Sequence, residues 1–499
     1  MDKKHAEHHA EHHLPQPKMF SRSKLFRIKT LDQCMEDSER PEYQLKRVLG
    51  PFQLILFGIG AIIGAGIFAT IGTAAAGDAY RPGAGPALMV SFVITAIVCS
   101  FTALCYAEFT SIVPISGSAY TYSYATLGEI VAWIIGWDLI LEYMVGASLV
   151  AIGWSAYLVN LVNHLLQPMG VSLPHAWCAP PWAPQGQQPG ILNLPAVLII
   201  AVLTWLLVRG IKESARVNLI MVIIKVVVIL IFIGLTAWYV NPTNWNPFMP
   251  FGFKGVVTAA AIVFLAYVGF DAVSTTAEEA VNPQRDMPIG IMGSLAVATV
   301  LYVVVAAIMT GVVPYKQLNV ADPVALVLNV LNMPWASVVV SVGALAGITS
   351  VLLVLLLGQP RILFAMSRDG LLPPLMSKVH ERFRTPYLTT IITGIVVAVS
   401  SALTPINVVA ELCSIGTLFA FMIVSAGVLV LRRTRSEVHR PFKAPLYPAI
   451  PILGIVLCGY LMLSLPFVTW LRFLVWLLIG LTIYAGYSFR HSRLAPKQA

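Results

Sequence analysis

The chain has 499 residues, of which 58% are hydrophobic and only 11% are charged, and its formal net charge is +9. An average soluble domain has about 45–50% apolar and ~25% charged residues. A soluble core cannot absorb such an excess of apolar residues, because the surface of a folded chain grows with its size and must meet water. The composition therefore excludes soluble enzymes, nucleic-acid-binding proteins and disordered scaffolds, and it predicts a protein that crosses a membrane many times.

Twelve apolar runs are long enough to cross a bilayer as helices, which takes about 20 residues at helical rise. We call them spans 1 to 12 in chain order, and they lie near residues 52–74, 86–112, 126–163, 191–208, 214–240, 255–278, 289–313, 335–363, 387–403, 407–431, 449–466 and 469–488. The predicted fold class is an all-α membrane protein with twelve transmembrane helices. Span 1 does not have the form of a cleavable signal peptide, because a long polar segment precedes it and no small-residue cleavage site follows.

The lysines and arginines predict the orientation in the membrane, because these residues are enriched in cytoplasmic loops. With the N-terminus placed inside, 27 of the 32 fall on the cytoplasmic side and four on the outer side, and the remaining one lies within span 5. Both termini are therefore predicted to be cytoplasmic. The positive net charge is explained by this distribution and does not indicate a nucleic-acid partner.

The polar N-terminal tail, residues 1–48, contains five histidines in the stretch KKHAEHHAEHH. These histidines could bind a metal ion, but a flexible polar tail is the simpler interpretation, because nothing nearby builds a rigid site. The sequence contains no H-E-x-x-H, G-x-S-x-G or Walker A motif. We therefore predict a protein that is not an enzyme, with no metal site and no cofactor.

Span 1 contains the glycine-rich stretch GIGAIIGAGIF at 58–68, and glycine weakens a helix. The spacing of Gly58, Gly60 and Gly64 does not fit a dinucleotide-binding fingerprint, and its flanks are transmembrane. Close helix packing through Gly60 and Gly64 is a real alternative. The functional interpretation is that the helix is interrupted here, because non-helical backbone at membrane depth lines a cavity and its free amides can bind a carboxylate.

A second candidate interruption lies in span 6, in FLAYVGFDA at 264–272, where Gly269 stands close to Asp271. Interruptions in spans 1 and 6 occupy corresponding positions in two five-span halves, which is typical of inverted-repeat transporters. The predicted organisation is a first repeat at 49–240, a second inverted repeat at 241–431, two extra helices at 432–488 and a cytoplasmic C-terminal tail at 489–499.

A few ionisable residues fall inside the spans, where a charge costs roughly 2.5–3.5 kcal/mol and needs a partner or a water-filled cavity. Lys225 lies in the middle of span 5, and a lysine paired permanently to a carboxylate is the structural alternative to a functional one. Asp138 and Glu142 share one helical face of span 3, with Asp138 the better candidate for a structural or interfacial acid. Asp271 follows the interruption in span 6. Two further acids lie close to span ends, where solvated or structural roles are expected: Glu108 and Glu411.

Six stretches in order give the sequence a family resemblance. They are GIGAIIGAGIF at 58–68, CYAEFTSIVPISGSAYTYSYATLGE at 105–129, GWDLILEY at 136–143, FLAYVGFDAVSTTAEEAVNPQRDMPIGI at 264–291, GQPRILFAMSRDGLLP at 358–373 and SIGTLFAF at 414–421. With them the chain resembles the amino acid–polyamine–organocation superfamily from about residue 45 to 488. More narrowly, it is similar to bacterial relatives of the cationic amino acid transporters. The resemblance implies two inverted five-helix repeats, broken helices 1 and 6, and two extra helices, in the cell inner membrane.

The resemblance also implies where an amino acid would bind. Its α-carboxylate would meet the backbone around Gly64, Ala65 and Gly66, between the broken helices. This sequence has Ala65 where many relatives carry serine or threonine, so a hydroxyl contact to the carboxylate is absent.

The α-amino group and the side chain would be bound by the other elements of the same pocket. The resemblance assigns the amino group to carbonyls near Ile62, Leu265 and Val268. Many relatives carry an aromatic residue in place of Leu265, and its absence affects affinity and side-chain preference. Glu142 and Asp271 match family acids that could neutralise a guanidinium or ammonium group of the substrate.

Lys225 matches the span 5 lysine of proton-coupled relatives, whose ammonium occupies the position of sodium in sodium-driven transporters of the same fold. We therefore expect proton-coupled import of L-amino acids by alternating access, with arginine, lysine, ornithine or an alanine-like amino acid as substrate and membrane lipid as the surroundings. An amino-acid exchanger is the main alternative. A substrate sensor is another, although the short tails, without a signalling domain, argue against it.

Overall fold

The computed structural model describes residues 27–28, 47–64, 66–77, 82–113, 118–182, 188–209, 211–320, 322–381, 383, 385–463 and 465–494. Ala65 and most of the predicted N-terminal tail, with all of its histidines, lie outside the described residues. The described part of the chain is helical, and its extended segments pair only in three isolated bridges.

Twelve apolar helices follow one another through the described part of the chain. In order they are α1 (Pro51–Ile62), α2 (Leu88–Ile112), α3 (Glu129–Leu166), α4 (Leu194–Arg209), α5 (Ile211–Thr236), α6 (Gly252–Val263), α7 (Pro283–Val312), α8 (Pro334–Arg368), α9 (Tyr387–Leu403), α10 (Ile406–Thr434), α11 (Ala449–Leu463) and α12 (Phe467–Ile483). Eight of them, taken with helical extensions at their ends, are long and apolar enough to cross a membrane, and α1, α4, α9 and α11 are apolar but shorter. Each coincides with one predicted span, so the prediction of an all-helical, multi-pass membrane protein is confirmed.

The arrangement of these helices places α1 in the interior. Helix α1 packs against α5, α7 and α8, while α3 packs against α8 and α10. Peripheral helices present exposed apolar side chains instead, among them Val202 on α4, Ile220 on α5 and Leu478 on α12. An apolar outer face suits contact with lipid, and polar groups are then confined to the interior.

The first predicted interruption lies at the end of α1. This helix stops at Ile62, and Ile63 is extended, with φ −78° and ψ 102°. Helical backbone resumes as a π-helical turn at Gly66–Thr70 and a short helix at Ile71–Ala76. The last carbonyl groups of a helix have no partner within that helix. Ending α1 inside the protein therefore leaves acceptors that other groups must satisfy.

The second interruption follows α6. The backbone passes through a 3₁₀ turn at Phe264–Ala266, reaches Gly269 at φ +123°, and continues as a 3₁₀ helix at Phe270–Glu279. Residues with a side chain rarely adopt this φ, and a Cβ on Gly269 would lie 2.7 Å from the carbonyl oxygen of Ala61. Glycine is therefore required here by the backbone conformation and by the close approach of α1.

The two interruptions meet in the core. A Cβ on Gly66 would overlap Ala266, so the first interruption touches the second. A Cβ on Gly64 would overlap Val351 of α8 in the same way. The stretch GIGAIIGAGIF thus ends a helix and also allows its backbone to approach two other elements closely.

Candidate functional site at the helix interruptions

Lys225 of α5 is fully buried against the end of α1. Its Nζ donates to the carbonyl oxygens of Gly60 at 2.9 Å and Ile63 at 2.7 Å. The third bond, at 2.7 Å, goes to Oγ of Ser350 on α8. All three N–H groups of an ammonium are therefore used, and within the described residues no carboxylate forms an ion pair with this lysine.

The three contacts of Lys225 suit the protonated form of its side chain. A protonated lysine has three donors and no acceptor, which matches the three acceptors that face it. A neutral amine would present a lone pair to at least one of those oxygens, so it would hold the helix end less firmly. Sequence reasoning singled out Lys225 but missed Ser350, a serine within the apolar run VGALAGITSVLLVLLL at 342–357.

Tyr302 of α7 joins the two interruptions directly. Its hydroxyl lies 2.9 Å from the carbonyl oxygen of Ile62, at the end of α1, and 2.9 Å from that of Ala266, in the second interruption. Sequence reasoning missed this residue, although a lone tyrosine in the apolar run VLYVVVAA at 300–307 is a signal of a buried polar contact.

The predicted backbone-binding residues are brought together, apart from Ala65, which is outside the described residues. Gly64 and Gly66 lie at the contact between the interruptions and α8. Leu265 and Val268 lie on the second interruption and are half-buried. The carbonyl of Ile62 is already bonded to the Tyr302 hydroxyl. The structure therefore places these residues at one locus, and their roles in binding stay predictions.

The two acids predicted near this locus, Glu142 and Asp271, are buried, but their hydrogen bonds are not equally satisfied. Asp271 accepts one hydrogen bond from the Tyr143 hydroxyl at 3.0 Å. It accepts another at 3.2 Å from the backbone amide of Gly269, two residues earlier in the chain. Glu142 lies close enough to Asp271 for their charges to interact, and its Oε2 has no hydrogen-bond partner in the described part of the chain. Tyr143 is a third residue that sequence reasoning missed, and it directly follows Glu142.

Asp138 is the least satisfied of the acids. It is fully buried, so it does not lie at an aqueous interface, and neither of its carboxylate oxygens has a hydrogen-bond partner within the described residues. It faces α10 so closely that a Cβ on Gly416 would lie 3.1 Å from its Oδ1. A buried carboxylate is costly without a partner. The acids on α3 are therefore suited to hold a proton or to receive a cation.

The two acids near span ends are paired as structural groups. Glu108 of α2 accepts two hydrogen bonds from Arg432 of α10, at 2.8 and 2.5 Å, and one from the amide of Ala444 at 2.8 Å. Glu411 of α10 accepts a bond from the Thr469 hydroxyl at 2.6 Å. These contacts explain both acids without a role at the interruptions.

A polar cleft of about 510 Å³ opens between the last residues of α3, the first residues of α8 and a short helix at Pro323–Val330. Its polar lining includes Asn160, Asn163, His164, Asp322, Asn329 and Ser337. Partial burial raises the pKa of Asp322, and the nearby His164 opposes this shift. Further along both helices, Trp154 Nε1 donates to Thr349 Oγ1 at 2.9 Å and ties α3 to α8.

No cluster of three metal-ligating side chains occurs among the residues that the structure describes. The site is thus built from main-chain carbonyls, one ammonium, hydroxyl groups and acids. Such a set can bind a zwitterion and move a proton.

Comparison with known proteins identifies the class. A family model described as amino acid permease matches residues 49–485. The chain therefore belongs to the amino acid permease family, in the superfamily predicted from its motifs, and is a multi-pass membrane protein of a family of permeases.

Particular relatives cover nearly the whole chain. It is 53% identical over 454 residues to the branched-chain amino acid permease BcaP of Bacillus subtilis (strain 168), covering 91% of this chain and 95% of that protein. It is 47% identical over 472 residues to the methylthioribose transporter of the same strain, covering 95% and 99%. It is 41% identical over 393 residues to cationic amino acid transporter 9, chloroplastic, of Arabidopsis thaliana, covering 78% and 67%. The family, the branched-chain amino acid permease and the cationic amino acid transporter support amino-acid transport.

Proposed function

We propose that the protein is a secondary active transporter that imports L-amino acids by alternating access, coupled to protons. In this proposal its twelve helices cross the cell inner membrane with both termini in the cytoplasm. Residues 49–240 and 241–431 form the inverted five-helix repeats, and residues 432–488 add two helices. The observation that carries the proposal is the Lys225 ammonium, bound to the interrupted end of α1.

Lys225 is the proposed proton-coupling group. When protonated, it holds the end of α1 against α5 and α8, in the conformation that accepts an amino acid. Loss of the proton to the cytoplasm removes one donor from a set of three matched contacts. The end of α1 is then held less firmly, and the cytoplasmic side opens to release the substrate.

The interruptions are the proposed site for the α-carboxylate and α-amino groups. The backbone amides around Gly64, Ala65 and Gly66 would bind the carboxylate, since backbone amides at an interrupted helix attract anions. The carbonyls of Ile62, Leu265 and Val268 would accept hydrogen bonds from the ammonium group. These contacts are common to all L-amino acids, so they define the substrate class without selecting its side chain.

Two observations support different side-chain preferences. The relative that is 53% identical is named for branched-chain amino acids, which supports neutral substrates if Glu142 and Asp271 hold protons. The unpartnered Oε2 of Glu142 supports a cationic substrate such as arginine, lysine or ornithine. Small and branched neutral amino acids are the first candidates and cationic ones the second.

Transport into proteoliposomes tests the proposal. Uptake of radiolabelled leucine, alanine and arginine is measured with the outside more acidic than the inside, with and without a protonophore. We expect the wild type to accumulate at least one of them. In Lys225→Met the pH-driven rate of uptake should be about tenfold lower or more, equivalent to about 1.4 kcal/mol. Lys254→Met, at an exposed lysine in the first turn of α6, is the matched control and should behave as the wild type.

Three outcomes would change the assignment. Accumulation that ignores the pH gradient would contradict proton coupling. Uptake that occurs only into vesicles preloaded with amino acid would identify an exchanger. Binding without any uptake, detected as thermal stabilisation of the purified protein by an amino acid, would identify a sensor.

A further inference from the structure

We propose that Tyr302 is a positioning residue for the α-ammonium group of the substrate, an inference that rests on the proposed function. Side chains of three helices reach the carbonyls freed at the end of α1. Lys225 bonds to those of Gly60 and Ile63, Ser350 Oγ lies 3.1 Å from that of Gly60, and the Tyr302 hydroxyl bonds to that of Ile62. The same hydroxyl also reaches the carbonyl of Ala266 in the second interruption. Tyr302 is thus the side chain that fixes the distance between the two halves of the predicted ammonium site.

The hydroxyl leaves one acceptor in need of a donor. A tyrosine O–H carries a single proton, yet the carbonyls of Ile62 and Ala266 lie at the same distance from its oxygen, 2.9 Å. At any instant one carbonyl accepts this proton, and the other faces a hydroxyl oxygen. An ammonium group has three donors, so it can bond to both carbonyls at once while the hydroxyl keeps them together, because a carbonyl oxygen has two lone pairs.

Packing against two aromatic rings keeps the ring of Tyr302, and with it the hydroxyl, in position. The side chain is fully buried on α7, and its ring centroid lies 5.2 Å from that of Phe92 and 5.3 Å from that of Tyr267. Aromatic packing at these distances fixes a ring in place. The Tyr302 hydroxyl is therefore already oriented before a substrate arrives. Through its two hydrogen bonds it joins α7 to both interruptions.

The decisive readout is discrimination between an amino acid and its α-hydroxy analogue. The two ligands differ only in the group that the proposed ammonium site binds. Binding of L-leucine and of its α-hydroxy acid is measured on purified protein, with alanine and lactate as the second pair. We expect Tyr302→Phe to weaken amino-acid binding about tenfold, because the carbonyls of Ile62 and Ala266 are no longer held together to receive an ammonium group with three donors. Binding of the hydroxy acid, whose hydroxyl has a single donor and does not need both carbonyls, should change by no more than about twofold.

Tyr267→Phe provides a matched control. It removes the same hydroxyl from a neighbouring, fully buried tyrosine, but that hydroxyl donates to the carbonyl of Phe92 on α2, at 3.1 Å. We expect this variant to keep the wild-type ratio of amino-acid to hydroxy-acid affinity. Because the readout is a ratio of two affinities on one sample, a lower yield of folded Tyr302→Phe does not alter it.

The outcomes separate this inference from the function on which it rests. If wild-type protein binds neither pair and no other amino acid, the proposed function itself fails. If the wild type binds an amino acid and Tyr302→Phe weakens both ligands equally, or changes neither, the positioning role is overturned while the transporter proposal stands. An equal loss of discrimination in Tyr267→Phe would also overturn it.

Discussion

Two groups of buried acids in this protein differ in their partners. Glu108, near the end of α2, accepts two hydrogen bonds from Arg432 and lies 3.7 Å from a second guanidinium, that of Arg440. Asp138 and Glu142, in the first half of α3, together have three carboxylate oxygens without a hydrogen-bond partner in the described part of the chain. All three side chains are equally inaccessible, so burial alone does not distinguish them.

The difference shows how a structural acid can be told from a functional one in this fold. Breaking a buried ion pair by removing one partner is strongly destabilising, because the other charge is left unpaired. An acid with carboxylate oxygens that lack a hydrogen-bond partner in the described part of the chain does not give this stability, and the protein keeps it at a cost. Glu108 therefore contributes to the stability of the fold, and we infer that Asp138 and Glu142 hold a proton or bind a cation.

The largest effect is expected at the paired acid. Glu108→Gln leaves Arg432 and Arg440 without their counter-charge and should lower stability by about 3–5 kcal/mol, the usual cost of breaking a buried pair. The measurement is the thermal midpoint of purified protein in detergent. Glu411→Gln is the control, because Glu411 and its partner Arg472 are both partly exposed and lie 3.9 Å apart. Similar midpoints for the two variants would show that the buried pair of Glu108 stabilises the fold no more than the partly exposed pair of Glu411.

A selective effect on cationic ligands is expected next. Glu142→Gln keeps the shape of the side chain but cannot carry a negative charge, so arginine and lysine should compete for uptake about tenfold less well, equivalent to about 1.4 kcal/mol. Transport of leucine or alanine should persist, since their side chains carry no charge. Competition assays in proteoliposomes check this. Unchanged competition by arginine would show that Glu142 does not bind a cationic side chain.

Asp138→Asn should stabilise the protein, whereas Glu108→Gln should destabilise it. Replacing an unpartnered carboxyl by a neutral amide removes the cost of burying a charge, and the gain should be about 1 kcal/mol, limited by the amide's own unmet hydrogen bonds. Thermal midpoints of both variants at neutral pH are compared. A clear loss of stability in Asp138→Asn would place this acid with Glu108 as a structural group.

The smallest effect is expected at Asp322, an acid that is only half-buried. Because burial raises its pKa, the folded state binds the proton more tightly than the unfolded state, so stability falls as pH rises from the ordinary aspartate pKa of about 3.9. Asp322→Asn should raise the thermal midpoint slightly at pH 8, and the gain should shrink as the pH approaches 4. A gain that does not change with pH would contradict this explanation.

Local patterns in the sequence predicted much of this architecture. Apolar runs of membrane length gave the twelve helices, since crossing a bilayer depends on length and composition alone. The glycines of GIGAIIGAGIF and Gly269 marked both interruptions, because they allow the backbone to leave a helix and to approach its neighbours. A lysine in an apolar run marked Lys225, because such a charge needs a special environment.

The tertiary structure alone decided which groups meet. Lys225 bonds to Ser350, 125 residues away, and Glu108 bonds to Arg432, 324 residues away. Nothing in the local sequence assigns these partners, because they depend on how distant helices pack. The same packing pairs Tyr302 with both interruptions, and it leaves Asp138 without a hydrogen-bond partner among the residues that the structure describes. The sequence thus determined the helices, their interruptions and the presence of buried charges, while packing decided which of those charges are satisfied.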